Sequence, residues 1–127
     1  MWLLLTTDDV LGIHDDVLNT GELPGLAADK SLDGALGRID FRIQYNTIQD
    51  EYDLAATYAV VIARAHAFND GNKRTAFAAM DTCLLINGIV PQWNMAEVGN
   101  LIIDVAQGNI DEGQLATWLR EHIAAQL

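Results

Sequence analysis

Apolar residues recur every three or four positions in six successive segments of this chain. Side chains at this spacing lie along one face of an α-helix, so each segment is predicted to be helical. The first helix is predicted to follow Thr7 as its N-cap and to end at Gly21. The other helices are predicted over residues 29–45, 52–68, 72–86, 95–106 and 112–124.

The segment of residues 52–68 is apolar on nearly all sides rather than along one stripe. Such a helix must be covered by neighbours on several sides, so it is predicted to be the central helix. Strand-like alternation of apolar and polar residues is nearly absent from the chain. These patterns predict an all-α protein, a compact bundle of about six helices in a single domain of residues 1–127.

Composition and charge narrow the classes of partner. The 127 residues are enough for one hydrophobic core, and half of them are hydrophobic. A net charge of −11 repels the phosphates of nucleic acids, so we expect no direct nucleic-acid partner. The apolar start is too short to span a membrane and lacks the basic flank of a signal peptide, so we expect no membrane partner. The single cysteine, Cys83, is expected to be an inert core thiol in a cytoplasmic protein.

A polar run, residues 66–74 with the sequence HAFNDGNKR, lies between the two most hydrophobic segments. Core packing does not require such a run. Three of the seven basic residues, Arg64, Lys73 and Arg74, lie in or beside it. A locally positive site is therefore embedded in a strongly negative protein, and we expect an anionic ligand there.

The residue types in this run suit phosphate chemistry. Gly71 allows close backbone approach, and the predicted helix start that follows offers unpaired N–H groups. Lys73 and Arg74 supply a point charge and a planar fork for phosphoryl oxygens. Asp70 is a hard oxygen ligand suited to Mg²⁺ shared with substrate phosphates. His66, at the end of the preceding helix, is the candidate general base.

Plainer interpretations of the same residues exist. A histidine before an Asn-Asp-Gly turn often serves only as a cap. His66 and Asp70 could be two metal ligands, but no third ligand stands at a supporting spacing, so zinc is not expected. His14 and His122 are expected at the surface or in a groove, without a catalytic role. Arg64 is expected to brace the loop or to pair with a carboxylate.

Residues 66–74 resemble the signature of the Fic/Doc family, HxFx(D/E)GN(G/K)R. The likeness extends to residues 21–25, 37–39, 56–58 and 87–88, which are similar to the Doc-type toxins of that family. The resemblance implies an α-helical fold in which the histidine of the motif deprotonates a target hydroxyl and its acidic residue holds Mg²⁺. These are His66 and Asp70 here.

The resemblance also assigns the remaining residues of the motif. It places the triphosphate of ATP, the expected co-substrate, on Gly71, Asn72, Lys73 and Arg74. Supporting roles around the motif are expected for Phe68, Asn69 and Arg64.

Two positions depart from the wider Fic pattern. Lys73 stands where AMP-transferring members have glycine, and Phe77 stands where they have a second arginine. Both departures are similar to Doc-type toxins, which are understood to deliver the γ-phosphoryl group of ATP to a threonine of elongation factor Tu and so to halt translation. The resemblance therefore implies such a toxin kinase. An AMP transferase is the alternative, which Gly71 favours, and a non-enzymatic binding module with a decayed motif is the third.

The resemblance further implies an inhibitory partner. The (S/T)xxxE(G/N) pattern of self-inhibited Fic enzymes has no good copy, since Thr47 and Glu51 are followed by Tyr52. Inhibition is therefore expected from a Phd-like antitoxin whose C-terminal segment folds into a groove on the toxin. Hydrophobic positions on the first two helices are expected to line that groove.

Overall fold

The computed structural model describes residues 1–123, and within them the regular structure is entirely α-helical. The six helices are α1 (Thr7–Val17), α2 (Leu32–Gln44), α3 (Glu51–Ala65), α4 (Asn72–Ile86), α5 (Met95–Ala106) and α6 (Glu112–Ile123). The predicted all-α class and the six helices are thus confirmed. None of these helices has both the length and the apolar character needed to cross a bilayer.

The first helix differs from its prediction at both ends. Its N-cap is Thr6, not Thr7, because Thr6 forms a capping box with Asp9. The Thr6 hydroxyl accepts from the Asp9 N–H at 3.1 Å, and the Asp9 carboxylate accepts from the Thr6 N–H at 2.8 Å. The helix ends at Val17 rather than at Gly21, since Leu18 is already extended.

Backbone conformation also shortens α2 and α3. The predicted start of α2 at residue 29 is wrong because Asp29 has a positive φ of 62°, and Ser31 caps the helix instead. The predicted extension of α3 to residue 68 is wrong because His66 adopts a left-handed conformation that ends the helix. The limits of α4 and α5 are as predicted, and the predicted last residue of α6, Ala124, lies outside the described residues.

Helix α3 is the central helix, as predicted. Every residue from Tyr52 to Ala63 is buried, and α3 packs against α2, α4, α5 and α6. Its most extensive partner is α4, which contributes the buried alanines Ala76 and Ala79. Small side chains let helix backbones approach closely. The two helices are joined only by residues 66–71, so the polar run lies at one end of the most tightly packed helix pair.

Polar contacts tie the outer elements to this centre. The Tyr58 hydroxyl on α3 accepts from the Leu5 N–H at 2.8 Å and donates to the Leu5 carbonyl at 2.9 Å. Arg120 on α6 contacts the carboxylates of Asp50 and Asp53 at 2.7 and 2.8 Å. Burial raises the pKa of Asp50, but the hydrogen bond from Arg120 and the other bonds to the carboxylate outweigh burial and lower it overall. These contacts fix the N-terminal segment and α6 on α3.

The buried thiol of Cys83 gives a direct test of this core. Cys83 has no exposed surface, and burial raises the pKa of its thiol to about 12. Because the thiolate is the reactive form, we expect the folded protein at pH 8 to react with Ellman's reagent far more slowly than the protein unfolded in guanidinium chloride. Equal labelling rates in the two states would contradict the described core.

Candidate functional site

The loop between α3 and α4 is held in shape by Asn72. Its side-chain Oδ1 accepts from the Phe68 N–H at 3.0 Å, and its Nδ2 donates to the Phe68 carbonyl at 2.9 Å. The Thr75 hydroxyl donates to the Gly71 carbonyl at 2.8 Å. The side chain of Asn72, expected on a phosphate, is therefore engaged with the loop backbone.

Gly71 is required by the backbone at the start of α4. Its φ is 80°, a conformation that side chains with a Cβ rarely adopt, and a Cβ would lie 3.6 Å from the ring of His14. Gly71 is also the N-cap of α4, so no side chain caps this helix. The first N–H groups of α4 therefore remain available, with the positive end of the helix dipole, for an anionic ligand.

The structure brings most of the predicted residues to one cavity of about 260 Å³. His66 lies on its wall with an exposed side chain. Within residues 1–123 no hydrogen bond to the His66 imidazole is present, so the ring is free to accept a proton from a ligand. The cavity is completed by Ala63 and by the predicted residues Asn69, Asp70, Gly71, Asn72, Lys73 and Arg74.

The segment of residues 21–27 pairs with the loop along its backbone, and we call it the pairing segment. Its Ala27 N–H donates to the Ala67 carbonyl at 2.7 Å, and its Gly25 carbonyl accepts from the Asn69 N–H at 3.2 Å. The Asn69 side chain adds a bond of 3.1 Å to the Pro24 carbonyl. The supporting role expected for Asn69 is therefore the attachment of this segment to the loop.

Asp70 is held from two directions. Its carbonyl accepts from the Nε2 of His14 at 2.7 Å, and its Oδ2 accepts from the Leu23 N–H in the pairing segment at 2.8 Å. In the part of the chain that the structure describes, no hydrogen bond to its other carboxylate oxygen, Oδ1, is found. One oxygen of the carboxylate is therefore oriented while the other can face a cation.

Arg74, predicted to bind phosphate, is bound to a carboxylate instead. Its Nη2 lies 2.5 Å from the Oε2 of Glu22 in the pairing segment, and its Nη1 donates to the Val17 carbonyl at 2.6 Å. The hydrogen bond from Arg74 lowers the pKa of Glu22, so this carboxylate is charged at neutral pH. A phosphate that binds Arg74 must therefore compete with Glu22. Sequence reasoning did not select Glu22, although it lies in the segment of residues 21–25 that carried part of the resemblance.

The predicted location of His14, at the surface or in a groove, was wrong. This side chain is only 1% exposed, and it stacks on the ring of Phe68 with centroids 3.8 Å apart. A carbonyl oxygen can only accept a hydrogen bond, so the bond to Asp70 places the proton on the Nε2 of His14. The sequence signal for the burial of His14 was its position on the apolar stripe of the first helix. The expectation for His122 was correct, since its side chain is exposed.

Arg64 does not have the role expected of it. Its Nε donates to the Val105 carbonyl at 3.0 Å, and its Nη2 donates to the Ile110 carbonyl. It therefore binds the last turn of α5 and the connection between α5 and α6, not the motif loop or a carboxylate. Phe68 is buried beneath the loop, which fits its expected supporting role. Lys73 is exposed, and among residues 1–123 no ion pair to it is found.

Comparisons with known proteins agree on one family. A family model described as the Fic/DOC family matches residues 4–84, which include the whole cavity. The chain is 33% identical over 117 residues to a protein of Escherichia phage P1 named "Protein kinase doc", covering 91% of this chain and 92% of that one. It is 38% identical over 76 residues to "Toxin Doc" of Mycolicibacterium smegmatis, covering 58% of each chain.

Substitution of His14 tests its bond to the loop. We expect His14→Phe, which keeps an aromatic ring but leaves the Asp70 carbonyl unpaired, to lower the free energy of unfolding by about 1–3 kcal/mol. His14→Ala also loses the stacking on Phe68, which adds about 1 kcal/mol. Denaturant unfolding measures both changes. The exposed His122→Ala is the control, and a His14→Phe variant as stable as this control would contradict the assignment.

Substitution of Glu22 tests the competition for Arg74. Glu22→Gln removes the charge that the guanidinium binds, so we expect inorganic triphosphate to bind this variant about fivefold more tightly than the unmodified protein. Isothermal titration calorimetry measures the affinity, and Glu121→Gln on the exposed face of α6 is the matched control. Weaker binding by Glu22→Gln would show instead that Glu22 orients Arg74 for the ligand.

Proposed function

Because this chain belongs to the Fic/DOC family, we propose that it is the toxin of a toxin-antitoxin module and acts as a protein kinase. It transfers the γ-phosphoryl group of ATP to a threonine hydroxyl of elongation factor Tu and so arrests translation in the cytoplasm. One observation carries the proposal. A single cavity combines the carboxylate of Asp70, the cation of Lys73, an imidazole at His66 and the start of α4, and within residues 1–123 the imidazole has no hydrogen-bond partner and the helix start has no side-chain cap. The names of two relatives, a kinase and a toxin, support it.

His66 serves as the general base in this proposal. Its side chain is exposed to the cavity and has no hydrogen-bond partner among residues 1–123, so it can accept the proton of an incoming hydroxyl. The threonine oxygen then forms a bond to the γ-phosphorus, and ADP leaves with the electrons of the broken P–O bond. Lys73 and the first N–H groups of α4 stabilise the charge on the phosphoryl oxygens during this step.

Asp70 is suited to hold Mg²⁺. Its Oδ2 is fixed by Leu23, and no bond to its Oδ1 is found within residues 1–123. In the same part of the chain no cluster of three or more metal-ligating side chains is present. One carboxylate with few protein neighbours matches the way Mg²⁺ is bound by proteins that share it with substrate phosphates. When bound, Mg²⁺ would neutralise charge on the triphosphate.

Phosphoryl transfer is preferred over AMP transfer because of two side chains. Lys73 is a cation at the start of α4 where AMP-transferring members have glycine. Phe77 replaces their second arginine, and its partly buried ring packs against Trp93 with centroids 5.3 Å apart. An AMP transferase is the second candidate, favoured by Gly71 at the position where the wider Fic pattern also has glycine.

The proposed inhibitor is a Phd-like antitoxin that binds an apolar surface. A cavity of about 290 Å³ lies between the start of α1 and α2, and Leu36 and Ile39 are among its lining residues, which supports the groove expected on the first two helices. Phe41 on α2 is exposed and lies tilted against Tyr45, and Ile86 at the end of α4 is an exposed apolar side chain in a cavity beside α1. We therefore propose that the antitoxin segment contacts α1 and α2, together with the end of α4.

Intact-mass spectrometry of elongation factor Tu tests the reaction. After incubation with this protein, ATP and Mg²⁺, we expect a gain of about 80 Da, the mass of one phosphoryl group. His66→Ala should lower the rate at least about a hundredfold because the general base is lost. Lys73→Ala, which removes the cation from the cavity, should also lower the rate. Lys30→Ala, which removes a lysine outside the cavity, is its control and should leave the rate unchanged.

The other masses separate the alternatives. A gain of about 329 Da would mean AMP transfer and would reject the kinase assignment. An unchanged mass, with growth arrest that persists in the His66→Ala variant, would favour a binding module without enzymatic activity.

A further inference from the structure

A further cavity lies between α2, the end of α3 and the start of α6, and we call it the arginine cavity. Its volume is about 370 Å³. Ala65 lines the arginine cavity, whereas Ala63 lines the cavity that contains His66. Residues two positions apart point to nearly opposite sides of a helix, so the two cavities lie on opposite sides of the last turn of α3.

The arginine cavity combines an apolar floor with a cationic rim. Val60 and Val61 are buried at its floor, with exposed fractions of 2% and 7%. Arg38 and Arg64 are the two cationic residues that line it, and both are exposed. The cavity therefore gathers two of the seven basic residues of a protein whose net charge is −11.

Both guanidinium groups keep hydrogen-bond donors for a ligand. The Nε of Arg38 donates to the Oε1 of Glu112 at 2.6 Å, and no hydrogen bond from its Nη1 or Nη2 is found within residues 1–123. Arg64 uses its Nε and Nη2 on the carbonyls of Val105 and Ile110, and its Nη1 has no partner in the same part of the chain. A guanidinium that is held on one edge and open on another is arranged to bind a carboxylate.

Glu112 orients Arg38 without cancelling the positive charge of the rim. Burial raises the pKa of the Glu112 carboxyl, but the hydrogen bonds from Arg38 and from its own backbone N–H outweigh burial and lower the pKa overall. The carboxylate is therefore charged at neutral pH. Two guanidinium groups and one carboxylate leave one net positive charge beside the apolar floor.

We infer that the arginine cavity is a docking site for an acidic segment of the protein substrate, in which an apolar side chain enters the cavity and neighbouring carboxylates bind Arg38 and Arg64. The inference rests on the proposed function, because the segment belongs to the protein whose hydroxyl reaches His66. A protein interface covers about 800 Å² on each partner, a patch much wider than the helix diameter of about 10–12 Å. A protein held at His66 therefore reaches the other side of the last turn of α3.

Charge distinguishes this segment from other occupants. The two cavities beside α1 are lined by carboxylates, among them Asp9, Asp16, Asp33 and Asp40, so they suit a basic segment of the antitoxin. A nucleic acid requires several cations along its backbone, and the arginine cavity offers two. An acidic segment with an apolar side chain matches both the rim and the floor.

NMR titration of the isotope-labelled full chain with a short peptide tests the cavity. The probe, acetyl-Glu-Leu-Glu-amide, carries one apolar side chain between two carboxylates. We expect it to shift the amide signals of Ala35, Val60 and Val61 with a dissociation constant of about 1 mM, as a single small anchor predicts. Acetyl-Gln-Leu-Gln-amide lacks the charges and acetyl-Glu-Gly-Glu-amide lacks the apolar side chain, so each should bind about tenfold more weakly.

Three substitutions change the affinity for the probe in different directions. Arg38→Gln removes a cation and should weaken binding about threefold, whereas Glu112→Gln removes the competing charge and should tighten it about threefold. Ala35→Leu places a larger side chain in the cavity and should abolish binding. Lys30→Gln and the exposed Ala96→Leu lie outside the cavity and are the matched controls, which should leave the affinity unchanged. The NMR spectrum of each variant also shows whether it folds.

Kinetics with elongation factor Tu connect the cavity to the substrate. We expect Ala35→Leu to raise the KM for this protein about tenfold, because the apolar anchor is lost, while kcat and the KM for ATP stay unchanged. Arg38→Gln should raise the same KM about threefold. If Ala35→Leu no longer binds the probe but keeps the KM of the unmodified protein, the substrate docks elsewhere and the inference is wrong.

The other outcomes separate the alternatives. Signal shifts outside the cavity, or equal affinities for the acidic and the uncharged peptide, would reject a site for an acidic segment. Hexanoate that binds as tightly as the peptide would make the cavity a site for a small aliphatic carboxylate. An Ala35→Leu variant that escapes the antitoxin with an unchanged KM would make it an antitoxin site. If the probe binds as expected but elongation factor Tu gains no mass, the proposed function fails and the cavity serves another acidic partner.

Discussion

The packing of α3 against α4 is the constraint on which the site depends. Because α3 is buried along nearly its whole length, its end cannot shift without disturbing four other helices. The chain must then reverse within residues 66–71, and it does so through left-handed conformations at His66 and Gly71. Asn72 closes the loop by bonding both backbone groups of Phe68. The rigid helix pair thus turns six loop residues into a defined cavity at the start of α4.

His14 and His66, both next to the loop between α3 and α4, differ in burial and in hydrogen bonding. His14 is buried, stacked and hydrogen-bonded through Nε2, so its ring supports the backbone at Asp70. His66 is exposed and has no hydrogen-bond partner within residues 1–123, so its ring can exchange a proton with a ligand. Only the second arrangement suits a general base. The pairing segment contacts two neighbouring side chains. It orients Asp70 through a bond from the Leu23 N–H, and it binds Arg74 through the carboxylate of Glu22.

The cavity has a locally positive side although the protein as a whole is strongly negative. The protein has a net charge of −11, yet Lys73 and the uncapped start of α4 leave a positive end at the cavity. Arg74 is already neutralised by Glu22, which keeps an isolated guanidinium from facing the cavity before a ligand binds. Of the two basic side chains at the cavity, Lys73 is thus the one for which no ion pair is found among residues 1–123.

Local sequence by itself determined the helices and the composition of the site. The limits of α4 and α5 were predicted correctly, because cap residues and helical spacing act over only a few positions. The run of residues 66–74 was likewise found from its polarity between two apolar helices. The start of α2 and the end of α3 were predicted incorrectly, because the left-handed conformations of Asp29 and His66 give no clear signal in the local sequence.

Only the tertiary structure decided what His14, Glu22, Arg64 and Arg74 bind. Their partners lie 41 to 57 positions away along the chain, at Asp70, Arg74, Val105 and Val17 respectively. Three of these four contacts end on a backbone carbonyl, a group that every residue carries. The sequence therefore does not indicate which residue supplies the accepting carbonyl. That follows only from how the helices pack.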